Sequence, residues 1–201
     1  NLKLPFGFNY KLSFQPRLSG TYHYAFYPSS TPTGFNVKGR GTRNEDRVYE
    51  WMVDNLLTWR KETAGQSFDF TFLYNLEKFQ SWGSNLVAEG FSPNENLSYH
   101  ALQFATRQVL SNSDNYSTGD ALMARLNYAL KDKYLLTLSV RRDGYSAFGQ
   151  GNPRANFPAG ALAWKISEEK FFKVPFLDLV KLRASWGANG NRNIGIYSAL
   201  A

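Results

Sequence analysis

Apolar and polar side chains alternate along seven segments of the chain, and this two-residue period is the strongest constraint on its fold. Successive side chains of a β-strand point to opposite sides, so the alternation predicts strands with one apolar face. The first segment is either one very long strand or a hairpin that turns near residues 16–20. The predicted strands are residues 6–27, 49–61, 67–80, 121–130, 136–140, 156–167 and 180–189.

The connections between these segments alternate in length. Residues 28–48 and 81–120 are long and polar, whereas 62–66 and 131–133 are short. An antiparallel up-and-down sheet with long loops at one end and tight turns at the other is typical of an outer-membrane β-barrel. A soluble β-sandwich with long insertions could produce the same alternation, and that alternative stays open. The later connections, residues 144–155 and 168–179, are intermediate in length.

Aromatic residues make up 16% of the chain, and four tryptophan and tyrosine residues lie near the connections at 62–66, 131–133 and 168–179. Tryptophan and tyrosine favour membrane interfaces, because the ring stays in an apolar layer while its N–H or O–H reaches water. Packing inside a sandwich core would be the other explanation. The predicted membrane-interface aromatics are Trp59, Tyr128, Tyr134 and Trp164.

Charge and composition argue against several other classes of protein. The net charge is +7, but Glu45 and Asp46 interrupt the densest basic stretch, so we expect no nucleic-acid partner. Cysteine is absent, and His23 and His100 have no metal-ligand companions at the usual spacing, so we expect no metal or cofactor. No apolar run of about 18 residues could form a membrane-spanning helix, so any crossing would use barrel strands.

Catalysis is also not expected. Glu168 and Glu169 are adjacent, so on an extended chain their carboxylates point to opposite sides. Asp143 has no histidine or serine constellation around it in the sequence. A β-sandwich glycosidase stays an alternative only if two carboxylates converge from separate strands. A soluble β-rich glycan-binding or adhesin module is the other alternative.

Three motifs in a fixed order carry a resemblance to a known family. They are KYLLTLSVRRDGYSAFGQGN, NFPAGALAWKISEEKFF and LDLVKLRASWGANGNRNIGIY, within residues 133–197. Together they resemble the C-terminal part of the barrel of SusC/RagA-type TonB-dependent outer-membrane transporters of Bacteroidetes. FYPSST and NLLTWRKE resemble earlier barrel strands of that family. Tyr145 and Trp186 depart from the expected pattern, in which a small polar residue and tyrosine are commoner.

The resemblance implies a location and a function. It implies that residues 1–201 are part of one barrel domain in the outer membrane, surrounded by lipid, and that the chain is a fragment of a longer transporter. Such transporters have a barrel of about 22 strands closed by a plug; the plug and the TonB box would lie outside this chain. They import oligosaccharides or oligopeptides, are energised by TonB and work with a SusD-like surface lipoprotein.

The phase of the alternation also predicts which side chains face the lumen. If Leu136, Leu138 and Val140 face lipid, then Arg141 faces inward. The basic inner wall would bind carboxylates of the plug or guide an anionic substrate. The predicted lumen-facing residues are Arg125, Asn127, Arg141, Lys165, Lys181 and Arg183.

Aromatic residues in the long loops are candidates for substrate contact. Rings there can stack on sugars or on peptide side chains, or they can pack the loops against one another. The predicted extracellular loop contacts are Phe35, Trp82, Phe91 and Tyr99.

Overall fold

The described residues form one eight-stranded sheet in which each strand neighbours the next in sequence. The computed structural model describes residues 1–91, 94–148, 154–174 and 176–190. The predicted up-and-down antiparallel architecture is therefore confirmed. The strands are β1 (Leu2–Lys3), β2 (Phe8–Tyr27), β3 (Arg40–Thr63), β4 (Gln66–Glu89), β5 (Arg107–Leu130), β6 (Tyr134–Tyr145), β7 (Arg154–Lys165) and β8 (Lys181–Gly187).

Within the ranges that the structure describes, helical structure is confined to short segments. One α-helical turn, α1, spans Pro32–Phe35, and the 3-10 turns are Pro5–Gly7, Ser98–Phe104 and Ile166–Glu168. In α1 the Thr31 hydroxyl accepts a hydrogen bond from the Gly34 amide, and proline stands at the first helical position. Both features are common at the N-terminus of a helix. In the part of the chain that the structure describes, no helix has the length and apolar character needed to cross a membrane.

The first predicted segment, residues 6–27, contains one continuous strand, β2, so the hairpin alternative is wrong. Pro16 and Gly20 lie inside β2 and do not turn it. Proline lacks an N–H for a strand ladder and is tolerated at sheet edges. Among the described residues, β1 pairs with β2 only at Asn9 and Tyr10, so one side of β2 has no strand partner near Pro16.

The strands beside the long connections extend further than the alternation predicted. β3 begins at Arg40, β4 ends at Glu89 and β5 begins at Arg107. The predicted loops at 28–48 and 81–120 therefore shrink to residues 28–39 and 90–106. Much of the added strand length is polar on both faces. Backbone hydrogen bonds between strands can continue there although apolar and polar residues no longer alternate. In the same way β6 continues through Tyr145, past the predicted start of its loop at residue 144.

The chain divides into two compact units. The first contains residues 1–15, 52–78 and 117 onward, and the second contains residues 16–51 and 79–116. In the first unit the strand register is regular. Leu126 lies opposite Leu138, which lies opposite Gly160, which lies opposite Trp186. The adjacent row, one residue away on each strand, has its side chains on the other face of the sheet. It consists of Arg125, Ser139, Ala159 and Gly187.

The second unit has a small buried core where the 90–106 connection folds onto the strands. Phe91 packs edge-to-face on Phe26 with ring centroids 5.1 Å apart. Gly41 is required here by close approach, because a Cβ at that position would collide with the Leu102 side chain. The core residues are Ala88, Phe91, Leu102 and Ala105, with Phe26, Leu86 and Tyr99 packed against them.

Candidate functional site

The register places all six predicted lumen residues on one face of the sheet. Asn127 lies opposite Thr137, and the Thr137 hydroxyl donates a 2.9 Å hydrogen bond to its amide oxygen. Lys165 lies opposite Lys181, and two residues further along β8 Arg183 lies opposite Ala163. The structure thus groups Arg125, Asn127, Arg141, Lys165, Lys181 and Arg183 on one surface, and the identity of that surface as the lumen stays a prediction.

Three basic groups of this polar face, Lys165, Lys181 and Arg183, lie together near one end of the strands, and Arg141 lies near the other end. Lys165 and Phe157, the partner of Arg141, are eight residues apart on β7. At about 3.3 Å per residue, the Lys165 and Arg141 rows are roughly 26 Å apart. The positions between them are small, including Ala159, Ala161, Ala163, Ser185 and Gly187. This geometry is that of a wall, which another surface can approach closely.

Arg141 has a partner on its own strand. Its Nε lies 2.6 Å from Oδ1 of Asp143, two residues along and on the same face. The Arg-Arg-Asp sequence contained the signal for this pair, because residues i and i+2 of a strand share a face. The other cations differ: within the described ranges, Arg125, Lys165, Lys181 and Arg183 have no carboxylate within ion-pair distance. The face therefore carries uncompensated positive charge.

The opposite face of the first unit is an apolar band with polar borders. Leu138, Val140 and Leu162 are about half-exposed or more, which is unusual for such side chains in water. Arg142, eight residues beyond Tyr134 on β6, closes one border. Two residues further along the strands, on the same face, Arg154 Nη2 lies 2.9 Å from Oδ1 of Asp120. From Tyr134 to Arg142, both included, the strand has nine residues, which is within the roughly 9–11 residues that a tilted strand needs to cross the apolar layer of a membrane.

The four predicted interface aromatics all have hydrogen-bond partners for their polar atoms. The Trp59 indole N–H donates to the Phe6 carbonyl at 3.0 Å, and the Tyr128 hydroxyl donates to the Gln66 amide oxygen at 3.2 Å. The Tyr134 and Trp164 rings are nearly parallel, 13° apart. Ring bodies on an apolar face with bonded polar tips suit a membrane interface, a role that stays a prediction for these residues.

Glu169, which follows the 3-10 turn Ile166–Glu168, receives three donors at this border. The Tyr134 hydroxyl, the Trp164 indole N–H and Lys133 Nζ lie 2.7, 3.2 and 3.3 Å from its carboxylate oxygens. The hydrogen bond from Tyr134, followed by that from Trp164, holds the pKa of Glu169 below its usual value. The sequence did not predict that Glu169 joins two connections.

The four predicted loop aromatics separate into two groups. Phe91 is buried on Phe26, and Tyr99 lies 5.8 Å from the Tyr24 ring, so both pack the connection. Phe35, at the end of α1, and Trp82 are exposed. The prediction that Trp82 lies in a loop is wrong, because β4 continues through it to Glu89.

Trp82 borders a surface cavity in the second unit. The cavity measures about 460 Å³ and is lined by Glu45, Arg47, Trp82 and Ser84. The Glu45 carboxylate accepts hydrogen bonds from Arg43 Nε at 2.7 Å and from the Tyr24 hydroxyl at 2.9 Å. Across the described residues, no group of three histidines or carboxylates could hold a metal ion.

A long up-and-down sheet with an exposed apolar band and a polar opposite face is the wall of a transmembrane β-barrel. The chain belongs to the family described as TonB dependent receptor-like, beta-barrel, which it matches over residues 1–199. Its location is therefore the outer membrane.

Curated relatives align along most of the chain. TonB-dependent receptor P3 of Formosa agariphila is 32% identical over 197 residues, which are 97% of this chain and 20% of that protein. TonB-dependent receptor SusC of Bacteroides thetaiotaomicron is 46% identical over 84 residues, 40% of this chain and 8% of SusC. The chain thus spans about a fifth of the length of the relative that it matches nearly end to end.

Solved structures share the fold. The structure of the RagAB peptide transporter superposes with a TM-score of 0.78 at 19% identity, covering 96% of this chain and 22% of that chain. The RagAB peptide importer in the 'closed-closed' state gives a TM-score of 0.72 at 21% identity, with the same coverage. At this identity the likeness establishes the architecture of the sheet.

Proposed function

We propose that this chain is part of the barrel wall of a SusC-like TonB-dependent transporter that imports oligosaccharides or oligopeptides. All of residues 1–201 belong to the barrel in this proposal. The plug domain and the TonB-contacting segment are contributed by other parts of the same protein. The observation that carries the proposal is the two-faced sheet of the first unit, apolar on one face and basic on the other, in a chain of this family.

The proposed partners follow from the resemblance to SusC/RagA-type transporters. A SusD-like surface lipoprotein closes the extracellular mouth, and TonB supplies energy through a segment outside this chain. The relatives' names, which include TonB-dependent receptor P3, support the role of TonB, whereas the SusD-like lipoprotein is proposed from the family resemblance alone. In this proposal the chain forms part of the barrel wall and binds the plug or the substrate, so it needs no covalent step and no cofactor.

The four unpaired cations of the polar face have a specific role in this proposal. Arg125, Lys181 and Arg183 are exposed in this sheet and Lys165 is half-buried. A plug packed on this face would bury all four cations, and a buried cation needs a carboxylate partner, which the described residues of this face do not supply. The small side chains between them allow a second surface to pack within hydrogen-bonding reach. Carboxylates of the plug therefore bind this wall; guidance of an anionic substrate is the alternative.

Cysteine labelling tests the plug contact in the full-length transporter. Arg183→Cys is treated with a water-soluble maleimide, once in the intact protein and once after deletion of the plug. We expect protection in the intact protein and labelling without the plug. Trp186→Cys, on the apolar face, is the matched control and stays unlabelled in lipid in both states. Free labelling of Arg183→Cys in the intact protein would contradict the plug contact.

Uptake tests the transport function itself. Cells that lack the gene are compared with wild type for uptake of labelled oligosaccharides and oligopeptides, and each strain is repeated without TonB. We expect uptake of at least one class to require both the transporter and TonB. Uptake that is the same in all strains would refute the transport proposal.

A further inference from the structure

The cavity lined by Glu45, Arg47, Trp82 and Ser84 contains polar and aromatic side chains that have no role in the proposed contact with lipid or plug. These residues lie on β3 and β4, which are interior strands of the sheet. Glu45 and Arg47 are two residues apart on one strand, as are Trp82 and Ser84 on the next, so each pair shares a face. The cavity volume of about 460 Å³ is within the range of small-ligand pockets, roughly 300–1,000 Å³.

The Glu45 carboxylate is held in a fixed orientation. Arg43 Nε and the Tyr24 hydroxyl both donate to its Oε1, at 2.7 and 2.9 Å. The Arg43 guanidinium also lies over the Tyr24 ring, 4.8 Å from its centroid, which fixes both donors. In the described part of the chain, Oε2 of Glu45 accepts no hydrogen bond. One oxygen therefore anchors the side chain and the other is available to a ligand.

The other lining groups have free donors and a free ring face. Trp82 is 38% exposed, and among the described residues its indole N–H has no acceptor and its ring has no stacking partner. Arg47 forms no ion pair within those same residues. The Ser84 hydroxyl adds a small donor and acceptor. The cavity thus offers an aromatic surface, a carboxylate acceptor, a guanidinium donor and a hydroxyl.

The charges and the topology restrict the ligand. Glu45 is already paired with Arg43 at 2.7 Å, so Arg47 is the charged lining group that has no ion-pair partner among the described residues. Its guanidinium can donate hydrogen bonds to the oxygens of an uncharged ligand. A peptide bound as an added strand would need free backbone groups, but β3 and β4 have strand neighbours on both sides. A neutral ligand with several hydroxyls and a C–H-rich face fits all four groups. A saccharide ring has this chemistry.

We propose that this cavity is a binding site for a neutral saccharide ring, which stacks on Trp82 while its hydroxyls donate to Glu45 and accept from Arg47. The site lies at the end of the strands that carries the longer connections, which the barrel pattern assigns to the extracellular side. It is independent of the nutrient that the barrel imports, because it uses none of the residues of the basic polar face.

Saturation-transfer NMR and calorimetry on the full-length transporter in detergent micelles test the site. The probes are maltohexaose, cellohexaose and laminarihexaose, with acetylated hexa-alanine as the peptide comparison. We expect at least one hexaose to bind, with saturation of its ring C–H protons. Trp82→Ala should weaken that binding about tenfold, the effect of losing one stacked aromatic contact, while Trp82→Phe should retain part of it.

Two further variants and one control complete the test. Glu45→Gln keeps the shape but weakens the acceptor, and Arg47→Ala removes the donor, so each should weaken hexaose binding several-fold. Trp186→Ala removes an exposed tryptophan from the apolar face of the other unit and should leave binding unchanged. Absence of binding to all three hexaoses, binding insensitive to Trp82→Ala, or Trp82-dependent binding of hexa-alanine would each overturn the proposal. Uptake by cells is measured separately, so failure of this site and failure of transport are distinguishable.

Discussion

The Tyr134 hydroxyl donates a 2.7 Å hydrogen bond to Oε1 of Glu169, joining the first residue of β6 to the connection that follows β7. The Trp164 indole N–H donates to the same oxygen, and Lys133 Nζ reaches Oε2. Nearby, the Lys165 amide donates to the Lys133 carbonyl at 2.9 Å. One carboxylate therefore fixes two neighbouring connections at the border of the apolar band.

Loss of the Glu169 charge should loosen this end of the sheet. We expect Glu169→Gln to speed hydrogen exchange of the Lys165 and Ile166 amides by a few-fold, because charged contacts that solvent still reaches contribute modestly and glutamine can keep part of the hydrogen bonding. Mass spectrometry of the full-length protein in micelles measures the exchange. Glu168→Gln, one residue earlier and exposed, is the matched control and should leave exchange unchanged. Equal exchange in both variants would contradict the anchoring role.

The same contact predicts a pH dependence. The pKa of Glu169 is lowered in the folded protein, chiefly by the hydrogen bond from Tyr134. The stabilisation is therefore fully present above the usual glutamate pKa of about 4.3 and is lost as the pH falls through the lowered folded value. Exchange at the Lys165 and Ile166 amides, corrected for intrinsic rates, should accelerate in that acid range in wild type but not in Glu169→Gln. Matching acid profiles would show that another group titrates.

The Arg141–Asp143 pair should be weakly coupled. Its 2.6 Å contact is short, but the Arg141 side chain is 42% exposed, so solvent screens much of the attraction. A double-mutant cycle with Arg141→Gln and Asp143→Asn, read from urea unfolding in lipid vesicles, should give a coupling free energy below about 1 kcal/mol. A value well above that would mean that the pair is desolvated in the assembled transporter.

Gly41 should tolerate no side chain. A Cβ there would overlap Leu102, whereas a Cβ at Gly20 would meet only the movable ring of Tyr22, with the hydroxyl 3.2 Å away. Gly41→Ala should therefore destabilise the packing of the 90–106 connection by about 1–3 kcal/mol, the usual cost of overpacking. Limited proteolysis of the full-length protein should cleave this connection faster in Gly41→Ala than in Gly20→Ala. Equal cleavage would indicate that Leu102 can move aside.

The sequence predicted the parts of the fold in which one face is apolar. In 136–140 and 156–165 the alternation predicted the strands correctly, because one face of each is apolar, whereas residues 166–167 of the predicted strand belong to a 3-10 turn. It failed for 107–120, where both faces are polar and the strand is defined only by backbone pairing. The Glu169 contacts and the cavity beside Trp82 could not be predicted either, because both depend on residues distant in sequence or on adjacent strands whose register the alternation leaves open.

Position relative to the apolar band should decide how an added charge is tolerated. Leu138 lies midway between Tyr134 and Arg142 on the apolar face, so Leu138→Arg places a cation near the centre of the bilayer and should cost about 2–4 kcal/mol. Ala161→Arg is the matched control, because Ala161 lies on the opposite face between Thr137 and Ser185. Urea unfolding in lipid vesicles measures the difference. If the two variants were equally destabilised, the assignment of the Leu138 face to lipid would be wrong, and with it the assignment of Arg125 and Arg183 to the lumen.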